Sequence, residues 1–537
     1  MSKFVEVAAR GEEVSPRDSN DAVVGAKLGT ARDVQDMKRM GKEQLFKVIQ
    51  GAANVERIGE LTTALQRNFG FLSIFGFAMI LMQTWQALLG TIVFGLGNGG
   101  TAGLIYMYII VVFFFSLVNI SMAEMASMAP TAGGQYHWIS EFAPRSQEKL
   151  LSFVVGWLCT LGWQSGVSRG CFLAATEIQG LIVLNNDNYS YERWHGTLLT
   201  IAVVLFVAFF NTFFAKYLPL VERFVLGLHL GGFICILVPL WALGPRGNSH
   251  QIWTVFEDGG GWGSTGLATL VGLITPTTAF LGADAAVHMA EELRNASKTL
   301  PRVMIWTSII NGILGFIMLV TFCYTLGDLD SVLATPTGYP FIQVFYNATG
   351  SKGGATAMSC ILVLSSVANG MTNMATASRQ LFAFARDKGL PFHTWFAKVG
   401  DRIEIPFNVG FSTLFSLINI GSTVAFNQIL SLGVTALLSS YLVSIGCVTL
   451  RRIRKQPLLG RAFDLGPLGL PINLASIAFL LLAFVMSFFP SMAHPTPQTM
   501  NWSCLAYGGV LIIGGGYYML WARHHYVGPV EYVRMSA

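Results

Sequence analysis

The feature that most constrains this chain is a series of about twelve apolar runs, each nearly free of charge and long enough to cross a bilayer as a helix. A spanning helix needs roughly 20 mostly apolar residues. In chain order the runs lie near 70–94, 103–127, 151–183, 197–214, 219–243, 266–289, 303–326, 356–381, 407–425, 428–450, 470–489 and 503–522. We number them as the first to the twelfth span.

Composition agrees with this pattern, because 53% of the 537 residues are hydrophobic and only 12% are charged. Soluble globular chains carry about twice that share of charge. The sequence therefore predicts an all-α, polytopic membrane protein whose surroundings are the lipid bilayer. We expect no nucleic-acid partner. An enzyme is not expected either, because no nucleophile and base pair occurs in any polar segment.

No cofactor or metal is expected. The seven cysteines lie in predicted spans without a CxxC pair, and the nine histidines show no ligand spacing. The segment "GLGNGG", Gly95–Gly100, matches the dinucleotide fingerprint GxGxxG. That fingerprint requires a strand before it and a helix opening on it, whereas here it joins two predicted membrane helices. We interpret it as a tight outer loop.

The polar segments and the spans divide the chain into five parts. A tail of mixed charge precedes the spans, and it lacks the short apolar core of a signal peptide, so we expect a flexible cytoplasmic arm. The five parts are the arm at 1–65, a first block of five spans at 66–245, a second block at 262–452, the last two spans at 468–524 and a cytoplasmic tail at 525–537.

Orientation follows from the basic residues, which are retained on the cytoplasmic side of membrane spans. The connections that follow even-numbered spans are rich in Lys and Arg, including "RRIRK" at 451–455. The opposite connections hold only Arg193, Arg246 and Lys352. Both termini are therefore expected in the cytoplasm, with the plasma membrane as the expected location.

Glycosylation sequons give a weak check on this orientation. Asn188, Asn347 and Asn501 head N-x-S/T triplets in connections placed outside, whereas Asn295 heads one inside. Such triplets are frequent by chance, so they support the orientation only slightly.

Charged residues within spans are costly, roughly 2.5–3.5 kcal/mol at a helix centre on insertion scales, and they usually face the bundle interior or an aqueous pathway. Arg169 lies near the middle of the third span, with Glu177 eight residues later. They are about 12 Å apart along the helix axis, so separate partners are expected. A buried ion pair between helices and a substrate-facing Arg169 both remain open.

The fifth span carries Glu222 and His229. Histidine changes charge near neutral pH, so His229 is a candidate proton relay. The alternative is a neutral histidine that is hydrogen-bonded across helices.

The sixth span contains an acid just after a predicted helix break. Pro276 removes a backbone donor and Gly282 tolerates non-helical torsions, and Asp284 follows directly. His288 is four residues further and so on the same predicted helix face. Broken helices near the midplane expose backbone groups to substrate or ion in many secondary transporters.

The first span has its own polar interruption, with Gln83, Thr84 and Gln86 inside an apolar run. The first and sixth spans hold corresponding positions in the two blocks of five. This pairing indicates an inverted-repeat transporter with its site at the interface of the halves.

Three segments carry a resemblance to a known family: "AEMASMAPTAGGQYHWISEFAP" at 123–144, "FLGADAAVHMAEELRNASKTLP" at 280–301 and "ASRQLFAFARDKGLP" at 377–391. They resemble the amino acid, polyamine and organocation (APC) permease superfamily, and more narrowly its fungal amino-acid, GABA and choline branch. The likeness covers roughly residues 35–525.

The resemblance implies a LeuT-like five-plus-five inverted repeat with two extra C-terminal helices, and proton-coupled uptake by alternating access. It implies that the unwound parts of the first and sixth spans bind the substrate. The implied substrate contacts are Met82, Gln83, Thr84, Trp85, Phe280, Leu281, Gly282 and Asp284.

The resemblance also places His229 where some proton-coupled members have a functional lysine, which favours His229 as the proton carrier, with Glu222 on the same helix. Two departures concern the substrate. Gln86 stands where the branch often has an acid, and Arg169 where it has a small residue. Because Arg grips carboxylates while Asp284 offers a charge to an amine, the site suits an amino acid or GABA better than a plain cation.

Alternatives stay open at this point. One alternative to an amino-acid or GABA carrier is a choline or polyamine permease. Another is a nutrient sensor that has the permease fold and signals through its N-terminal arm. The charged end of the sixth span, with Glu291 and Glu292, is either a solvated helix end or, as the resemblance implies, part of an inner gate.

Overall fold

A computed structural model describes residues 70–397, 404–497 and 499–529. The predicted N-terminal arm and most of the predicted C-terminal tail lie outside these residues. Within them the secondary structure is helical, and no strand occurs beyond one isolated bridge. The prediction of an all-α polytopic membrane protein is confirmed.

The helices connect in a simple series, with short amphipathic or capping helices between the long ones. In chain order they are α1 Phe71–Met82, α2 Thr84–Gly97, α3 Gly100–Met128, α4 Gln135–Phe142, α5 Glu148–Asn185, α6 Arg193–Phe213, α7 Leu218–Leu243, α8 Ser249–Thr254, α9 Thr265–Gly272, α10 Ile274–Ala279, α11 Ala285–His288, α12 Ala296–Thr325, α13 Leu329–Leu333, α14 Pro340–Thr349, α15 Lys352–Arg386, α16 His393–Phe396, α17 Glu404–Gly421, α18 Thr423–Ile453, α19 Gly469–Met486, α20 Ser503–Tyr517 and α21 Arg523–His525. Short 3-10 turns cover Ala215–Tyr217, Ala290–Glu292 and Gly466–Leu468, and a π segment covers Tyr518–Ala522.

Each of the twelve apolar runs folds mainly as helix. Ten helical stretches in the described residues are long and apolar enough to cross a membrane. The ninth span is a shorter apolar helix, Ile405–Gly421. The sixth is divided among α9, α10 and α11, so it does not form one continuous helix.

Three pairs of long helices that are five positions apart in the span order pack against each other. The second span contacts the seventh (α3 with α12), the third contacts the eighth (α5 with α15), and the fourth contacts the ninth (α6 with α17). The two halves of the first span, α1 and α2, contact pieces of the sixth. These contacts join spans that hold corresponding positions in the two predicted blocks of five.

The "GLGNGG" segment ends α2 and begins α3, as the interpretation of a tight loop predicts. Gly99 has φ +113°, a conformation that favours glycine. Asn98 forms the isolated bridge with Asp258, in the connection after the fifth span. The Gly260 carbonyl in that connection accepts a hydrogen bond of 2.8 Å from the Ala493 N–H. Connections predicted on the outer side therefore meet at one end of the bundle.

The connections predicted on the inner side meet at the other end. Arg451, at the end of α18, donates to the carbonyls of Phe142 and Glu141 at 3.0 and 2.7 Å. Those carbonyls belong to the connection between the second and third spans. The basic end of the tenth span is thus anchored on a neighbouring inner connection.

The three predicted outer sequons differ in exposure. Asn188 and Asn347 are exposed. Asn501 is buried, and its side-chain nitrogen donates to the carbonyls of Ser487 and Phe489. The side-chain amide of Asn501 is therefore engaged in hydrogen bonds within the protein in this conformation.

Close packing of the third span depends on a stripe of small residues on α5, Gly162, Gly166 and Gly170. A Cβ added at Gly170 would lie 2.9 Å from the Asn369 side-chain oxygen and 3.3 Å from the Gly370 backbone nitrogen of α15. Small residues at such positions let membrane helices approach closely. The contact between α5 and α15 brings together Arg169 and Asn373, two residues of the candidate site.

We expect Gly170→Val to lower the midpoint of thermal unfolding in detergent, because overpacking costs about 1–3 kcal/mol. Gly227→Val is the matched control, since Gly227 is an exposed helical glycine with no atom near the added Cβ. A comparable fall in both variants would show that the added side chain acts through the helix itself rather than through the contact with α15.

Candidate functional site

The first span breaks at Gln83, which adopts a left-handed conformation with φ 31° and ψ 49°. Thr84 opens α2 and joins the two blocks of five spans: its hydroxyl donates to the Ala279 carbonyl at 2.9 Å, and its N–H donates to Asn311 at 3.2 Å. The Asn311 amide in turn contacts Met79 at 3.5 Å from its carbonyl oxygen. The break is therefore held by the sixth and seventh spans.

The carbonyls that α1 leaves without helical partners are satisfied by the eighth span. Asn369 Nδ2 donates to the carbonyls of Ile80 and Leu81 at 3.1 and 2.8 Å. Asn373, one turn further along α15, donates to the Asn369 side-chain oxygen at 2.8 Å. Asn369 thus fixes the end of α1, and Asn373 fixes Asn369.

The sixth span breaks opposite the first. Residues 280–284 form turns between α10 and α11, and Gly282 has φ +111°. The torsion favours glycine, and a Cβ at this position would also have to displace the Leu81 side chain. The predicted irregularities in both spans are confirmed, and the two breaks face each other.

A cavity of about 30 Å³ lies between the breaks. Its lining includes Leu81, Leu281 and Gly282 from the broken spans, Arg169 from α5 and Asn373 from α15. A volume of this size holds about one water molecule and is far too small for an amino acid. In this conformation the site is too small for a solute of that size, so the lining helices must move apart before one can bind.

Arg169 is the charged residue of this cavity. The residue is half-buried, its Nη1 atom is buried without a hydrogen-bond partner, and no acidic side chain of the described residues forms an ion pair with it. Glu177, two turns further along α5, also has one carboxylate oxygen without a partner. The predicted alternative of a buried ion pair at Arg169 thus finds no partner in the described part of the chain. Burying such a cation is costly unless an anion joins it.

The Asp284 carboxylate does not line the cavity in this conformation. Its two oxygens accept hydrogen bonds of 2.6 Å from Gln135 Nε2 and from the Tyr441 hydroxyl. Gln135 begins α4, after the second span, and Tyr441 lies in α18. Two short donors suit an ionised carboxylate. Of the two charges that the sequence assigned to the substrate, only Arg169 lies at the cavity.

His288 contacts the same inner connection as Asp284. Its Nδ1 lies 2.8 Å from the Ala132 carbonyl oxygen, and its ring packs edge-on to Trp163 at 5.3 Å between centroids. A Cβ at Gly134 would lie 3.0 Å from the imidazole, so this connection passes directly beneath the broken sixth span. The start of α4 and α11 therefore pack directly against each other.

His229 bridges the fifth and first spans. Its Nδ1 lies 2.9 Å from Gln86 Nε2, which also reaches the Ser365 hydroxyl at 3.4 Å. Because the amide nitrogen donates, Nδ1 is the acceptor, and the neutral ring carries its proton on Nε2. His229 Nε2 and Gln86 Oε1 have no partner. The Trp85 ring lies 5.8 Å from the imidazole.

The other predicted residues lie around the breaks without facing the cavity. The Glu222 carboxylate accepts from the Thr372 hydroxyl at 3.0 Å and is two helical turns from His229, so the two do not touch. Met82 and Phe280 are buried in the apolar core. The Phe280 ring packs edge-on to Phe115 at 6.1 Å.

Several residues that build the site were missed by sequence reasoning. Asn369 and Asn373 lie one turn apart in an otherwise apolar span, and buried amides in membrane helices usually bond to neighbouring helices, so a signal was present. Gln135 lies within a motif of the resemblance. Tyr441 gave no signal, because a tyrosine in an apolar span has no distinctive pattern.

Comparisons with known proteins identify the family. A family model described as amino acid permease matches residues 69–511. An uncharacterized amino-acid permease of Schizosaccharomyces pombe is 28% identical over 487 residues, covering 89% of this chain and 85% of that protein. In Saccharomyces cerevisiae, the choline transporter is 27% identical over 457 residues, covering 84% of this chain and 80% of its own. The GABA-specific permease of the same organism is 28% identical over 485 residues, covering 87% and 83%.

The matched region contains both broken spans and the cavity between them. The relatives are named as permeases and transporters, so this chain is a membrane transporter and not an enzyme. It belongs to the amino acid permease family, within the fungal branch of the APC superfamily that includes amino-acid, GABA and choline carriers.

Proposed function

We propose that this transporter is a proton-coupled carrier that takes up a small solute bearing both an amine and a carboxylate, such as an amino acid or GABA, by alternating access. One observation carries the proposal: Arg169 lines the cavity between two broken helices, and its buried Nη1 atom has no hydrogen-bond partner. The relatives named for GABA and for amino acids support this class of solute.

Arg169 explains why a carboxylate is preferred. A guanidinium presents a planar fork that binds a carboxylate through two parallel hydrogen bonds. The same group repels choline and polyamines, which carry only positive charge. Asp284 remains our proposed contact for the amine, in a conformation in which Gln135 or Tyr441 releases one of its oxygens.

Closure at the predicted inner end involves two ion pairs between the sixth and eighth spans. Glu292 contacts Arg379 at 2.6 Å, and Glu291 contacts Arg386 at 3.0 Å. Both acids lie at the end of the broken sixth span, so movement of α11 separates them from α15. We assign these pairs to the inner gate.

Coupling to protons is assigned to His229. A proton added at Nδ1 removes the acceptor that the Gln86 amide now uses, so the amide must turn and present Oε1 instead. Gln86 lies in the first turn of α2, next to the break at Gln83. Protonation therefore changes a contact at the site where the first span moves.

We expect Arg169→Ala to weaken uptake of carboxylate-bearing solutes by about 10–150-fold in KM, since a hydrogen-bonded charge pair contributes about 1.5–3 kcal/mol. Uptake is measured in a host that lacks its own permeases, with a panel of amino acids, GABA, choline and polyamines. Arg223→Ala is the matched control, because Arg223 lies near the exposed start of α7 and donates only to the Pro219 carbonyl.

Two results would contradict the assignment of Arg169. Either the variant reaches the membrane and transports every solute normally, or it loses choline uptake as strongly as GABA uptake. If the unmodified protein accumulates none of the panel at any external pH, the carrier proposal itself fails.

We expect His229→Asn to transport without concentrating its solute. Asparagine still accepts the Gln86 hydrogen bond through Oδ1 but cannot gain a proton, so the pH gradient no longer drives accumulation. Accumulation ratios are compared at external pH 5 and 7.5, with and without a protonophore. His250→Asn, at an exposed position, serves as the control. An unchanged, pH-dependent accumulation ratio in His229→Asn would remove the coupling role.

We expect Glu292→Gln to open the inner gate more often. The pair with Arg379 is about a quarter exposed on each side chain, 25% and 29%, and such pairs contribute about 0.2–1 kcal/mol, which shifts the equilibrium by up to about fivefold. The readout is maleimide labelling of the buried Cys159, whose sulfur lies 3.8 Å from Gln135, in a variant with the other cysteines replaced.

Labelling should accelerate in Glu292→Gln and return to the slow rate in the reversed pair Glu292→Arg with Arg379→Glu. If the reversed pair labels as fast as the single variant, the contact does not hold the gate closed.

A further inference from the structure

A second and larger pocket, of about 410 Å³, lies at the predicted inner ends of the tenth and eleventh spans. Three basic side chains line it, Arg452 and Lys455 at the end of α18 and Arg461 in the following connection. It is a shallow pocket that is open to its surroundings, so a bound group would be only partly enclosed. It is distinct from the cavity between the broken helices.

Two of these basic residues are held in place by a buried acid. Glu124, near the end of α3, is 1% exposed and forms ion pairs with both Arg452 and Arg461. Glu124 also accepts a hydrogen bond of 3.1 Å from the Leu465 N–H. The single carboxylate of Glu124, in the second span, thus holds both guanidinium groups in place.

The pocket retains a net positive charge after its acids are counted. Asp464 pairs with Arg461, and the Gly466 N–H together with that guanidinium lowers the pKa of Asp464 below its usual value, so it counts as one negative charge. The three positive charges of the basic residues therefore exceed the two negative charges of Glu124 and Asp464. Among the described residues, no acidic side chain forms an ion pair with Lys455.

The surroundings of the pocket favour a lipid over a soluble anion. Ile453 and Leu468 directly follow the lining residues Arg452 and Pro467 in sequence, and they are 58% and 65% exposed. Leu458 and Leu470 contribute apolar lining. Exposed apolar side chains beside basic ones, at the end of two spans, are typical of the level where acyl chains meet headgroups.

The guanidinium of Arg452 lies against a glycine at the start of the eleventh span. A Cβ at Gly469 would displace this guanidinium, so the glycine leaves room for Arg452 to pack over the first turn of α19. The pocket is therefore built by contacts from the second, tenth and eleventh spans together.

We propose that this pocket binds the phosphate-bearing headgroup of an anionic phospholipid of the inner leaflet, with its acyl chains along Ile453 and Leu468. Phosphate is recognised by Arg as a planar fork and by Lys as a point charge, and the pocket offers both. Lys455 supplies the charge that no acid of the described residues offsets. The lipid would link the second, tenth and eleventh spans, none of which carries the broken helices.

The test uses the purified full-length protein in neutral detergent. Its thermal unfolding midpoint is followed during titration with phosphatidylinositol, with phosphatidylcholine and with inorganic phosphate. We expect a saturable rise with phosphatidylinositol only. Lys455→Ala should weaken the apparent affinity for phosphatidylinositol by about fivefold, the effect of about one basic residue near a membrane surface.

Arg454→Ala is the matched control, because Arg454 is the adjacent exposed residue, carries the same charge and does not line the pocket. Its affinity for phosphatidylinositol should be unchanged. An equal loss in both variants would show diffuse attraction and overturn the site. An equal shift with phosphatidylcholine, or with inorganic phosphate alone, would overturn the assignment to an anionic lipid.

Discussion

The structure depends on how the backbone groups freed by two broken helices are satisfied inside a membrane. An unpaired carbonyl or N–H in hydrocarbon costs several kcal/mol, so a broken span is stable only where side chains replace the lost bonds. Asn369 supplies this for the end of α1 through two hydrogen bonds, and Thr84 ties the start of α2 to the Ala279 carbonyl. Asn369 of the eighth span thus stabilises the break in the first span, and Thr84 of the first span stabilises the break in the sixth. Each break therefore depends on a residue from the other block of five spans.

This arrangement explains why the two charges near the breaks differ. The Asp284 carboxylate has two donors at 2.6 Å and is part of the packing between the sixth span, the tenth span and α4. Arg169 has an unpaired nitrogen at a cavity too small for a solute. In this conformation the acid has its hydrogen-bond partners, whereas the cation has an unpaired donor that an entering anion can bind. This difference is consistent with the proposal that Arg169 recognises a carboxylate, and it means that Asp284 reaches a solute only after one of its donors moves away.

The breaks and the buried charges were within reach of sequence reasoning because they violate the pattern around them. One apolar run contains Pro276 and Gly282, and another contains Gln83 and Thr84. These residues stand out because the rest of each run is apolar and suited to a continuous helix. Arg169 is conspicuous for the same reason. The partners of Asp284 were out of reach, since Gln135 and Tyr441 are 149 and 157 residues away in sequence and unremarkable in composition.

By itself the sequence determined that this chain is a helical membrane protein, which residues are costly to bury, and where its helices cannot continue. These properties are local, because hydrophobic length, glycine and proline torsions and side-chain charge act within a few residues. Only the tertiary structure decided which costly groups are compensated. It pairs His229 with Gln86 and Asp284 with Tyr441, and it leaves Arg169 open at the cavity. Compensation is a matter of distances between spans, and helix packing alone sets those distances.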